Sequence, residues 1–113
     1  MEKSIFSKIL NGEIKSEIIY QDDYVFAIND INPIAPIHIL IISKEQIPTI
    51  NDIDENNSFI ISKMILAAKK IAQNKQIAEK GYRLIFNCNE DGGQTVFHIH
   101  CHLLGGKKLN WQA

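Results

Sequence analysis

Little in this sequence could staple, anchor or tether the chain. Its 113 residues include only two cysteines, Cys88 and Cys101, too few for a disulfide framework. No apolar run is long enough to span a bilayer, and Met1-Glu2-Lys3-Ser4 opens no apolar core of signal-peptide length. Positive charge is not in excess: 12 Lys and Arg stand against 13 Asp and Glu, for a net charge of −1. That balance excludes a protein held on nucleic acid by a basic stripe of phosphate contacts. Repeats, linkers and low-complexity segments are also lacking. These absences point to a soluble protein of a reducing compartment, cytoplasmic, with neither a nucleic-acid nor a membrane partner.

What is present suits one compact unit. A chain of this length forms a single domain, 1–113. It buries about two thirds of its unfolded surface. Apolar content of 45% and charged content of 22% are ordinary for a globular fold. Ser4 caps a short helix through about Leu10, with Gly12 as its stop. Glu17 to Gln21 and Tyr24 to Ile28 read as two strands joined by a turn at Gln21-Asp22-Asp23. Asn29 to Pro36 is a loop, because Pro33 and Pro36 cannot donate to a ladder. Ile37 to Ile42, apolar except for His38, reads as a central buried strand. Ser43 to Ile50 suggests a helical turn interrupted by Pro48. A long helix follows, capped by Asp52 or Asp54 and helped by Glu55 at its positive end. Its apolar stripe is Ile61, Met64, Ile65, Ala68, Ile71 and Ala72. That stripe is core or a dimer interface, while Lys69, Lys70 and Lys75 make a solvated face. Tyr82 to Asn87 is a further strand. The pattern is α+β, with a mostly antiparallel sheet of about five strands, one long helix and a short N-terminal helix.

Three of the chain's four histidines lie between Asp91 and Gly106, as His98, His100 and His102. Read as a strand, this segment puts the three imidazoles on one face and Phe97, Ile99, Cys101 and Leu103 on the other. Strict alternation behind Gly92-Gly93 is poorly explained by core packing. Two chemistries suit it. Imidazoles are the commonest zinc ligands, and three could build a catalytic metal site. Alternatively, a neutral imidazole attacks phosphorus while neighbouring donors hold the non-bridging oxygens. Gly92 and Gly93 let the backbone approach a ligand, and Gln94 and Thr95 add donors. Spacing alone leaves both open.

The segment His98-Ile99-His100-Cys101-His102-Leu103-Leu104 resembles the histidine-triad (HIT) pattern, His-x-His-x-His with apolar x. The likeness covers nearly the whole chain. It runs from Ile5-Phe6-Ser7-Lys8-Ile9 through Asp30-Ile31, Ala35-Pro36-Ile37-His38, Gly81-Tyr82-Arg83 and Asp91-Gly92-Gly93-Gln94 to Gly105-Gly106 and Trp111. It is similar to the Hint branch, the histidine-triad nucleotide-binding proteins. The galactose-1-phosphate uridylyltransferase branch has glutamine at the third triad position, where this chain has His102. The resemblance implies a HIT-like fold and hydrolysis of the P–N bond of purine nucleoside phosphoramidates, with no cofactor and no catalytic metal. It makes His100 the nucleophile, with its other ring nitrogen donating to the carbonyl of His98. His102 and Gln94 would hold the phosphate, with Gly93 in the same loop. Thr95 would help protonate the leaving amine, and His38 takes the place of a fourth site histidine. Asp30 would bind the ribose hydroxyls, and Asn87 the ribose–phosphate region. Phe6, Ile9, Ile14, Ile28 and Ile31 would form the slot for the base.

Some positions depart from the family. Many bacterial relatives have a Cys-x-x-Cys pair where this chain has Ser4 and Ser7, and a histidine where it has Gln46. In those relatives these residues and the first triad histidine hold a structural zinc. Three of the four ligands are missing here, so no such site is expected. Ile28 replaces an aromatic residue common in the slot, and Ile14-Lys15 replaces a common Ile-Pro. The family likeness also implies a homodimer joined through the long helix and the strand after it, with Trp111 reaching the leaving group of the partner's site. Two other functions stay open on these residues: a nucleotide-binding regulatory or scaffold protein, and a dinucleoside polyphosphate hydrolase of the neighbouring Fhit branch. The Gly-Gly-Gln-Thr loop and Trp111 favour the first-named hydrolase.

Overall fold

A computed structural model describes residues 2–111. Seven regular elements and a single 3-10 turn lie in the order α1 (Ile5–Leu10), β1 (Tyr20–Gln21), β2 (Val25–Asn29), β3 (Ile37–Ser43), the 3-10 turn (Ile50–Asp52), α2 (Phe59–Asn74), β4 (Tyr82–Ile85) and β5 (His100–Gly105). The five strands form one antiparallel sheet in the order β1-β2-β3-β5-β4. This is the α+β architecture expected, with one long helix and one short one. No helix among the described residues is long and apolar enough to cross a membrane.

Alternation along the strands decides what each face carries. Val25 and Ala27 of β2, Ile39 and Ile41 of β3, and Cys101 and Leu103 of β5 point to one face and pack against α2. Phe26, Ile28, Leu40 and Ile42 point to the other, where Phe6 and Ile9 of α1 cover them. His100 is paired with Ile42, and His102 with Leu40. Both imidazoles therefore rise from the α1 face, beside a small apolar cluster, while the larger core lies behind the sheet. Ser4 caps α1 as expected, its hydroxyl accepting the N–H of Ser7.

Five expectations change. The predicted strand Glu17 to Gln21 is paired only at Tyr20–Gln21. The turn itself stands: the Asp22 carboxylate accepts from the N–H groups of Tyr24 and Val25. The helical turn expected over Ser43 to Ile50, interrupted by Pro48, is displaced to Ile50–Asp52, where Thr49 and Asp52 form a capping box. Asp52 is thus spent on that turn, and Asp54 caps a second turn by accepting from Asn56 and Asn57. α2 starts only at Phe59, with Ser58 at its N-cap and no side-chain cap bond. Its buried face is Ile60, Met64, Ala67, Ala68, Ile71 and Ala72. Ile61 flanks that face and Ile65 is exposed, because each residue turns the helix by about 100°. Finally, β5 begins at His100, so Phe97 and His98 lie ahead of the ladder and Phe97 is exposed.

Met64 sits fully buried at the centre of the α2 face. Met64→Ala is expected to cost about 2–5 kcal/mol, through lost burial and a residual cavity. Lys70→Ala, on the exposed face, should stay within about 0.5 kcal/mol. Urea midpoints of the two variants check this.

Candidate active site

A cleft of about 380 Å³ opens on the α1 face of the sheet. Phe6 and Ile9 reach it from α1, Ile28 from β2, and Asp30 and Ile31 from the loop after β2. His100 and His102 stand on its floor, and Asn87, Gly93 and Thr95 close one end. Ten of the expected site residues therefore share one cavity. Ile28 is buried and Ile31 is exposed at the rim. Ile5, Ser16, Asn29, Leu40 and Val96 also line it. Of these, Leu40 had a sequence signal: it is two residues from His38 on the predicted central strand, so it shares that histidine's face.

Hydrogen-bond partners fix the tautomers. Nδ1 of His100 lies 2.7 Å from the carbonyl oxygen of His98. A carbonyl only accepts, so Nδ1 carries the proton and Nε2 keeps a free lone pair. Nδ1 of His38 accepts the N–H of Ile34 at 3.2 Å, so the proton of the neutral His38 ring is on Nε2. That proton points at Nδ1 of His102, 3.0 Å away. The remaining nitrogen of His102, Nε2, is therefore a donor. One imidazole of the pair offers a lone pair and the other an N–H, with ring centres 5.2 Å apart.

Burial keeps both rings neutral. Desolvation lowers the pKa of His100, against the opposing pull of the His98 carbonyl and the Asp30 charge. His102 is lowered to about 4, first by desolvation and then by the charges of His100 and His38, with Asp30 opposing. The thiol of Cys101, on the opposite face of the same strand, is pushed up to about 12 by burial.

Several predicted residues lie outside the cleft lining. His38 stands behind His102 and reaches Asp30 Oδ2 at 3.4 Å through Nε2. His98 is fully buried. Its Nε2 donates to the carbonyl of Ser43 at 2.6 Å, so the ring supports the site from beneath. Ile14 packs at the edge of the apolar cluster under α1. Gln94 is buried, with its amide donating to the carbonyls of Pro48 and Val96 and its Oε1 accepting from the Asn89 N–H. Its side chain shapes the loop and has no free donor left for a phosphate. Trp111 is exposed beside a second cavity of about 630 Å³. Asn87 and Gly93 line both cavities, so the two adjoin.

The glycines of this loop have separate duties. A Cβ on Gly92 would come within 2.4 Å of the Cys88 carbonyl oxygen, so only glycine fits the turn. Gly93 has φ +82°, a left-handed conformation that glycine adopts without strain. Asn87 locks the fold-back by donating to the Gly92 carbonyl at 2.7 Å. Asp30 does two jobs: Oδ1 accepts the Asn32 N–H in its own turn, while the carboxylate still lines the cleft.

Asp30, His38 and His102 bring three potential ligand atoms within 4.8 Å of one another. A cation there would need the Nε2 lone pair of His38. The Ile34 N–H facing Nδ1 holds the ring in the opposite tautomer, so the trio reads as a hydrogen-bond chain. Ser4, Ser7 and Gln46 hydrogen-bond among themselves, and the Ser4 hydroxyl also meets Nδ1 of His98.

The HIT domain family model matches residues 11–109. The purine nucleoside phosphoramidase of Escherichia coli (strain K12) is 56% identical over 108 residues, covering 96% of this chain and 91% of that protein. Among solved structures, a HIT family hydrolase from Clostridium thermocellum superposes with a TM-score of 0.94 at 50% identity, covering 99% of this chain and 97% of that one. A histidine triad protein from Clostridium difficile gives 0.93 at 46% identity, covering 99% of this chain and 100% of that one. With the triad and the sheet in agreement with these likenesses, the chain belongs to the HIT domain family.

Proposed function

We propose that this protein is a purine nucleoside phosphoramidase that works through a nucleotidyl-histidine on His100. The observation that carries this is the tautomer pair: His100 Nε2 free as a lone pair beside a His102 held as a donor, both on the floor of a cleft. The name of the Escherichia coli relative supports it.

The base lies between Phe6, Ile9, Ile28 and Ile31, and Asp30 takes the ribose hydroxyls. This sets the α-phosphorus over His100. Nε2 attacks, a new N–P bond forms, and the P–N bond to the amine breaks. Thr95 helps deliver a proton to the departing amine. Water then attacks phosphorus and gives up a proton that replaces the one passed to the amine, the His100–P bond breaks, and the nucleoside monophosphate leaves. His102 Nε2–H meets the charge on the non-bridging oxygens in both steps. The sum is phosphoramidate plus water giving monophosphate plus amine, with no cofactor. The protein acts as one HIT domain in a reducing cytoplasm, in keeping with its two unpaired cysteines.

A homodimer completes the proposal. Among the described residues β4 pairs only with β5, and all four of its residues are half-buried, so its outer edge is open. Ile65 and Leu66 are exposed on α2. A second copy joined along this edge and helix covers both, and brings Trp111 toward the partner's leaving group.

Three outcomes follow from this reading. His100→Ala should fold normally and lose at least about a thousandfold in turnover of an adenosine 5′-phosphoramidate, some 4 kcal/mol of barrier. A variant near the wild-type rate in a steady-state assay would falsify the covalent route.

In a pH series, kcat/KM should hold its plateau as pH falls past about 6.5, the ordinary histidine value. It should decline only lower, where the buried His100 takes a proton. A break at or above 6.5 contradicts the assignment. Over the same series the thermal midpoint should fall below about pH 6.5, because the unfolded chain then binds protons that the folded His98, His100 and His102 resist.

Light scattering at micromolar concentration should give twice the monomer mass. Truncation after Gly106 should keep that mass and alter leaving-group preference, whereas a monomeric full-length protein removes the dimer.

A further inference from the structure

We propose that Ser4 is a positioning residue for the nucleophile, acting through the ring of His98. The inference rests on His100 being the attacking group. His98 lies just ahead of β5, so ladder hydrogen bonds do not aim its carbonyl, yet that carbonyl accepts the Nδ1–H of His100 at 2.7 Å. The His98 ring supplies the restraint instead. It is 0% exposed, and both nitrogens are engaged. Nε2 donates to the Ser43 carbonyl at 2.6 Å, which leaves Nδ1 as an acceptor in the neutral ring. The group facing Nδ1 must then be a donor, and the Ser4 hydroxyl is there at 2.5 Å.

That hydroxyl has one proton to give, and it goes to His98. Its oxygen also accepts the Ser7 N–H at 3.0 Å as the cap of α1. Gln46 holds the assembly from the other side. Its Oε1 accepts from the Ser4 N–H at 2.8 Å and the Ser7 hydroxyl at 2.7 Å, while its amide donates to the Glu2 carbonyl at 2.7 Å. The helix tied down in this way carries Phe6, whose ring meets His98 at 5.6 Å and His100 at 5.0 Å. Ser4 thus couples the wall of the base slot to the tautomer of His100. Without its proton, a buried ring nitrogen loses its partner, His98 is free to tilt, and the carbonyl that holds the His100 tautomer moves with it.

Three variants of the full chain separate this role from simple helix capping. Ser4→Thr keeps both the donor and the cap. Ser4→Asp keeps a cap acceptor but has no proton for His98. Ser4→Ala keeps neither. With an adenosine 5′-phosphoramidate, Thr should stay within about twofold of wild-type kcat. Asp and Ala should each lose about tenfold to a hundredfold in kcat with KM changed by less than about threefold, the scale of a slightly misplaced catalytic group. Histidine-ring 15N spectra should show His100 as the single Nδ1–H tautomer in wild type and Thr, and as a tautomer mixture in Asp and Ala. Wild-type kcat in Ser4→Asp, or an unchanged His100 tautomer in Ser4→Asp and Ser4→Ala, overturns the proposal. A wild-type protein without phosphoramidase activity would refute the assigned reaction, and the 15N spectra would still decide whether Ser4 holds the His100 tautomer. If Ser4→Ala fails to fold, Asp against Thr carries the comparison.

Discussion

The hydrogen bond from His100 Nδ1 to the carbonyl of His98 is the contact on which the site depends. A neutral imidazole has one proton and two nitrogens, so fixing the proton at one fixes the lone pair at the other. The bond spans two residues, a spacing that period-two geometry permits because alternate residues share a face. Everything beneath it serves to hold still a carbonyl that the sheet leaves unpaired. The second tautomer, that of His102, is set by a separate chain that starts at the Ile34 N–H and passes through His38. Two backbone groups, one acceptor and one donor, thus assign opposite duties to two chemically identical side chains.

Burial does the electrostatic work. The sheet places the two imidazoles against an apolar cluster of Phe6, Ile28, Leu40 and Ile42, and the low-dielectric side of the cleft disfavours their charged forms. No strong cation or tight ion pair is needed to keep the Nε2 lone pair of His100 free. Asp30, the one carboxylate among the described residues that line the cleft, pulls both rings toward protonation, and desolvation outweighs it in each case.

Much of this was legible in the sequence, and the parts that were not share a cause. Period two gave the α2-facing and α1-facing sides of β3 and β5 correctly, because β-branched runs and alternating histidines carry that signal strongly. It failed at Phe97, expected on the core face but exposed where the segment has yet to join the ladder. The helical stripe was drawn through Ile61 and Ile65 although the buried face uses Ile60 and Ala67: isoleucine at every third or fourth place fits more than one phase. Asp52 and Asp54 are good caps, but each caps a turn upstream of the helix to which it was assigned. At the site, the triad carried the signal for the imidazoles, and the other lining residues came from the family resemblance. The inward turn of Gln94 did not, because a polar side chain in a loop serves a ligand and a neighbouring carbonyl with the same atoms. Ser4 was legible as a cap, and its second partner, 94 residues away, was not.

Cys101 sits between the imidazoles of His100 and His102 in sequence and on the opposite face in space. Its thiol is fully buried and pushed up to about 12, so at physiological pH almost none of it is thiolate, the form that alkylating agents and peroxides attack. The strand therefore carries two kinds of latent nucleophile and silences one by solvation alone. Cys88 is half-buried in the loop that folds against Gly92. Chemical modification of the folded protein by thiol reagents would accordingly fall on that loop, leaving the sulfur within the histidine strand untouched until the sheet itself opens.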